Sequence, residues 1–116
     1  MNTLFILNDA PYGSERSYNA LRLARTVLKG GQSQVRVFLI GDAAGGAQSG
    51  QKVPQGYYNI ADMLAMLAKH GGEIAVCGTC MDARGMTEVN LVEGARRGTM
   101  DMLGEWTLAA DKVLSF

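Results

Sequence analysis

The stretch Gly72-Glu73-Ile74-Ala75-Val76-Cys77-Gly78-Thr79-Cys80-Met81 decides the fold of this chain. Glu73 to Val76 is a short, largely apolar run with Gly71-Gly72 before it and Gly78 soon after. Such a run reads as a strand buried on both faces, the kind found in parallel sheets. Two cysteines follow it at once, three positions apart.

Working back toward the N-terminus, two further apolar runs precede it, Thr3 to Asn8 and Gln34 to Ile40. Between them the period changes from strand to helix. From about Glu15 to Lys29, Ala20, Leu21, Ala24, Val27 and Leu28 fall on one face, and Gly30-Gly31 stops the helix. Pro11 and Gly13 break the first strand, and Ser14 suits the N-cap. A second helix opens near Asn59, carries Ile60, Met63, Leu64 and Leu67 on its inner face, and closes at Gly71-Gly72.

Beyond the cysteines come an irregular stretch from Met81 to Glu88 and a short apolar segment around Val89 to Val92. A last helix starts near Thr99 with Met102, Leu103, Trp106 and Leu108, and an apolar strand, Lys112 to Phe116, closes the chain. Alternating strands and helices predict an α/β fold, a three-layer sandwich around a mostly parallel sheet of about five strands. With no linker, repeat or low-complexity tract, residues 1–116 read as one domain.

Composition narrows the function classes. The 116 residues are 47% apolar, with 11 basic and 11 acidic side chains. A zero balance gives no support for nucleic-acid binding and suits self-association. No stretch approaches the roughly 20 apolar residues of a membrane span. The N-terminus lacks the basic flank of a signal peptide, and two closely spaced cysteines are no secreted disulfide framework. A cytoplasmic setting is expected.

Cys77 and Cys80 are the candidate catalytic residues, with Arg84 beside them. In open parallel sheets, chemistry collects at the carboxyl ends of strands, where Cys77 stands. The loops Asn8–Ser14, Gly41–Gly56 and Gly78–Gly85 should open on the same edge. A reactive thiol acts as the thiolate, which a nearby cation or helix N-terminus favours. Arg84 is that cation, and a helical turn beginning near Thr79 aims N–H groups at the sulfur. Asp82 opposes it if its carboxylate comes close.

Other readings of the pair stay open at this level. No second Cys pair exists and His70 is the only histidine, so a closed zinc site in one chain is disfavoured. A thioredoxin-type motif belongs after the first strand of its own fold, not the third. Both thiols also fit a space-filling role at a strand end. Gly41 to Gly56 has no Gly-Lys-Ser/Thr ending, so no nucleotide or other cofactor is expected, and the segment reads as a mobile flap or intersubunit loop. The Asn8–Ser14 loop reads as a capped turn, His70 as a surface residue at a helix C-terminus, and the seven methionines mostly as core filling. Arg96-Arg97 reads as a solvated pair.

Three segments carry a family resemblance. They are Ala10-Pro11-Tyr12-Gly13-Ser14-Glu15, the run Cys77-Gly78-Thr79-Cys80-Met81-Asp82-Ala83-Arg84-Gly85, and Trp106-Thr107-Leu108-Ala109-Ala110-Asp111-Lys112-Val113-Leu114. Together they resemble the DsrE/DsrF-like family and, within it, the YchN-like subgroup. The resemblance implies a small parallel-rich α/β subunit that assembles into homotrimers or homohexamers. It also implies a sulfur-relay role, with a persulfide carried on the cysteine that ends strand three and exchanged with sulfur donor and acceptor proteins. Cys77, followed by Arg84-Gly85, occupies the acceptor place, and Cys80 matches the extra cysteine of the subgroup. Relatives of the TusD type have two arginines before that glycine, where this chain has Ala83-Arg84. The competing classes are a non-catalytic oligomeric module binding a small ligand and a thiol redox sensor.

Overall fold

The computed structural model describes all residues, Met1–Phe116. Its strands are β1 (Asn2–Leu7), β2 (Gln34–Leu39), β3 (Glu73–Cys77), β4 (Ala95–Gly98) and β5 (Lys112–Ser115). The α-helices are α1 (Arg16–Lys29), α2 (Ile60–Lys69), α3 (Gly78–Ala83) and α4 (Met100–Ala109). The strands form one sheet in the order β4-β3-β2-β1-β5, and every pairing is parallel. This is the expected α/β sandwich of five strands.

The strand order explains the layers. From β1 through β2 to β3 the chain steps one way across the sheet, so right-handed crossovers place α1 and α2 on one face. From β4 it returns across the sheet to β5, and α4 lands on the other face. Alternation along the strands fills both sides. Phe5, Leu7, Val35, Val37, Leu39, Ile74 and Val76 join the larger core with α1 and α2. Leu4, Phe38, Ala75 and Cys77 meet Leu103 and Trp106 of α4 in a smaller one. Trp106 packs edge-on to Phe38 with ring centroids 6.1 Å apart, and the guanidinium groups of Arg36 and Arg96 lie 5.2 and 5.8 Å from its ring centroid. Glu73 ties those two arginines together.

Several expectations need correction. The segment from Gly41 is no mobile flap at its start, since Gly41–Ala47 is a 3-10 helix with Ala43, Ala44, Gly46 and Ala47 buried. Its small residues serve close approach: a Cβ on Gly46 would stand 3.0 Å from Ile60 Cγ2. The Gln51 side chain then donates to the carbonyls of Gly46 and Gln48. The fourth strand is Ala95–Gly98, while Val89 in the apolar segment upstream is 89% exposed. Charged Arg96 and Arg97 suit β4 because it is an edge strand.

Glu15, not Ser14, occupies the N-cap of α1, although Ser14 Oγ still accepts a long bond from the Arg16 amide. Leu108 lies on the outer side of α4, 90% exposed. Met81 and Met86 are core residues, but Met1, Met66 and Met100 face outward. The closing strand pairs with β1 on one side and is an open edge on the other. No helix is long and apolar enough to cross a membrane.

Candidate functional site

Cys77 is the last residue of β3 and the N-cap residue of α3, so one position ends a buried strand and starts a short helix. Its side chain faces the smaller core and is 7% exposed. Three residues on, about one helical turn later, Cys80 returns to it. The Cys80 thiol donates to Cys77 Sγ at 2.7 Å, and Thr79 Oγ1 lies 3.4 Å from the same sulfur. Both cysteines are free thiols.

The two thiols are electrostatically unequal. Burial opposes ionisation of Cys77, but hydrogen bonds from the Cys80 and Thr79 side chains outweigh it, helped by the amides of those residues. Neither amide closes a full capping bond to the sulfur. The net effect holds Cys77 below the ordinary thiol range. Cys80 is pushed up, first by burial and then because its proton is held between the two sulfurs. The Gly41 amide, donating to Cys80 Sγ at 3.2 Å, works against that rise, as does Arg84. Gly41 reaches this position with φ +59°, a conformation that favours glycine.

Two of the three expected loops therefore meet at the sulfurs, those beginning at Gly41 and Gly78. The Asn8–Ser14 loop lies against the Gly41–Ala47 helix instead, with Pro11 Cβ 3.5 Å from where a Gly46 Cβ would be. Its polar groups are taken up by protein partners, Ser14 Oγ donating to Asp9 Oδ2, Tyr12 Oη to Gln51 Oε1 and the Asn8 side-chain amide to Ser115 Oγ.

Arg84 is beside the pair on the Cys80 side. Its guanidinium donates to the Cys80 carbonyl at 3.1 Å and forms an ion pair with Asp42 at 2.5 Å. Asp82 does not face Cys77 as an unpaired carboxylate. Arg97 of β4 grips it with two hydrogen bonds of 2.9 and 2.8 Å, which holds Asp82 below the usual carboxylate range. Arg96-Arg97 is solvated, as read from the sequence, but each residue is also engaged, Arg97 by Asp82 and Arg96 over Trp106 and near Glu73.

Arg97 is the residue that sequence reasoning missed. The parallel register sets it opposite Val76, one position before Cys77. Its guanidinium lies against Gly78, where a Cβ would come 2.6 Å from Nε. The available signal was the doublet Arg96-Arg97 followed by Gly98, a charged run that suits an edge strand and a loop equally.

No group of three or more His, Cys, Asp or Glu side chains converges in a way that would hold a metal ion. His70 caps α2, its Nδ1 2.8 Å from the Met66 carbonyl oxygen. A groove of about 420 Å³ between α1 and α2 is walled by Leu28, Met63, Met66 and Leu67, and neither cysteine lines it.

The arrangement sets a thiol whose pKa is lowered in contact with a second thiol whose pKa is raised. Comparison with known proteins gives the context. The sequence pattern of the DsrE/DsrF-like family matches residues 1–116. The protein YchN of Escherichia coli strain K12 is 43% identical over 115 residues, covering 97% of each chain. The protein MK0008 of Methanopyrus kandleri is 38% identical over 111 residues, covering 96% of this chain and 90% of that one. The crystal structure of the E. coli ychN protein superposes with a TM-score of 0.93 at 40% identity, covering 99% of this chain and 98% of that one.

Proposed function

This chain belongs to the DsrE/DsrF-like family, and from that premise we propose that it is a sulfur-relay protein, a sulfurtransferase-like carrier of a persulfide on Cys77. The observation that carries the reading is the asymmetry of the pair. Cys77 is held toward the thiolate by the thiol of Cys80, which itself stays protonated. Nucleophilic sulfur chemistry needs that division, because the thiolate attacks and the thiol does not.

In the transfer step the Cys77 thiolate attacks the outer sulfur of a donor persulfide, R–S–SH. A new S–S bond forms between Cys77 and the outer sulfur, the donor's own S–S bond breaks, and R–S⁻ leaves with the electron pair. Cys77 then carries –S–SH. An acceptor nucleophile takes the outer sulfur in the same manner and returns Cys77 as the thiolate. Alternatively, Cys80, once deprotonated, attacks Cys77 Sγ, closing a Cys77–Cys80 disulfide and expelling HS⁻. Arg84 supports the site through the Cys80 carbonyl and its attraction for both sulfurs.

Donor and acceptor are proteins in this reading, and the subunit works as a homotrimer or homohexamer. Val113 on the open edge strand and Leu108 and Met100 on α4 are exposed apolar side chains that support self-association. The second reading, a thiol redox sensor, is favoured by the sulfur contact together with the Gly41 amide on Cys80, which links the pair to the 3-10 helix.

Intact-mass spectrometry after incubation with a persulfide donor separates the two. Relay predicts one added sulfur on the wild type, none on Cys77→Ser, and a longer-lived adduct on Cys80→Ser, which lacks the resolving thiol. Undiminished addition to Cys77→Ser, or no addition to the wild type, refutes the relay.

A further inference from the structure

The mechanism above leaves one ion pair beside the site unused, that between Arg97 of the edge strand and Asp82. We propose that Arg97 is a positioning residue for Cys77: through Asp82 it holds α3 against β4, and it cancels the carboxylate charge that α3 carries five residues after the reactive sulfur. The inference rests on Cys77 being the working thiol of the proposed relay.

The geometry has three independent parts. The register of β3 and β4 pairs Val76 with Arg97 and Cys77 with Gly98, so Arg97 leaves the edge strand beside the end of β3. Gly78 has no side chain, and only this lets the guanidinium lie across the first residue of α3, since a Cβ there would meet Nε, Cζ and Nη2 at 2.6 to 2.9 Å. Both terminal nitrogens then donate to the two carboxylate oxygens of Asp82, at 2.9 and 2.8 Å. A planar, bidentate pair of this kind fixes orientation in a way a lysine does not.

The groups that set the charge around Cys77 come from every neighbouring element. Cys80 and Asp82 lie on α3, Arg84 just beyond it, Asp42 on the 3-10 helix and Arg97 on β4, while Glu88 attracts Arg97 without pairing with it. From the other side α4 presents apolar Leu103 and Trp106. The two arginines divide the work. Arg84, neutralised by Asp42, bonds the Cys80 carbonyl. Arg97, neutralised by Asp82, sits at the Cys77 end, its guanidinium against Gly78, the residue that follows Cys77. Removing one member of the Arg97–Asp82 pair therefore exposes the charge of the other to Cys77.

The test is the rate of iodoacetamide alkylation of Cys77 against pH, on the full chain carrying Cys80→Ser so that one thiol reports. Arg97→Gln leaves Asp82 unpaired, so the midpoint rises and alkylation at pH 7 slows by about threefold or more. Asp82→Asn frees the arginine, so the midpoint falls and the same rate increases. The combined Arg97→Gln, Asp82→Asn protein returns toward the parent. Arg97→Lys keeps the charge and covers the case in which Arg97→Gln fails to fold; it should stay nearer the parent than Arg97→Gln does. A purely structural role predicts that both single substitutions shift the profile in the same direction, with no return in the pair, and that result overturns the proposal, as does an unmoved midpoint. Persulfide uptake is read separately on the wild type. Opposed shifts without uptake remove the relay and leave the electrostatics of Arg97; uptake without opposed shifts removes the role of Arg97 alone.

Discussion

Replacing Trp106 by alanine should cost about 4 kcal/mol of folding stability, the usual range for truncating a buried aromatic residue. Trp106 is 6% exposed and belongs to the six-residue cluster that joins α4 to the sheet. Its contact with Phe38 adds about 1 kcal/mol beyond area burial, and that part is included in the figure. Little else can replace it, because α4 buries only Leu103 besides Trp106. A loss of that size is a large fraction of a typical domain stability of about 5–15 kcal/mol. With a urea slope of about 2 kcal/mol per molar, the unfolding midpoint should fall by about 2 M. Trp106→Phe keeps a ring against Phe38 and should lose less than half as much. Cys77 shares the cluster, so Trp106→Ala should also make Cys77 alkylate faster below the unfolding transition. A midpoint within about 0.5 M of the wild type would refute the claim that Trp106 anchors α4.

Other outcomes follow from the site. One equivalent of iodoacetamide at neutral pH should label Cys77 before Cys80, as their opposite pKa directions require, and peptide fragmentation locates the adduct. Gly41→Ala should destabilise by about 1 kcal/mol, read by thermal unfolding, because φ +59° strains any residue with a Cβ. Asp82 has a folded pKa below its unfolded one, so its contribution is complete above the ordinary carboxylate range and disappears as pH falls through the lowered value. The stability gap between wild type and Asp82→Asn should therefore close toward acid pH; a gap that widens there contradicts the ion pair. Light scattering at micromolar concentration should exceed the 12.4 kDa of one chain, and a monomer alone would refute the proposed assembly.

Much of the fold was legible because local sequence and burial agree. Runs such as Thr3–Asn8 and Gln34–Ile40 are apolar on both faces, as parallel strands between two helical layers must be. Helix faces were readable for the same reason, and Asn59, the N-cap of α2, does accept the Asp62 amide. The exceptions are informative. Ala95–Gly98 carries two arginines and no bulky apolar residue, so nothing in its local pattern separates an edge strand from a loop. The Gly- and Ala-rich segment from Gly41 was misread because small residues serve both flexibility and close packing, and only the position of Ile60 decides between them.

The sequence by itself determined the α/β class, the strand-end position of Cys77, and the three-residue spacing that returns Cys80 to it. These depend on chain distances of a few residues, where helix and strand geometry leave little choice. Tertiary structure alone decided which cation serves which thiol. Arg84 is near the cysteines in sequence and went to Asp42 and the Cys80 carbonyl. Arg97 is 15 residues from Asp82 and was brought to it by the register of an edge strand. Charge pairing across a sheet follows that register, and the register is set by the burial of whole strands rather than by any motif that a linear reading contains.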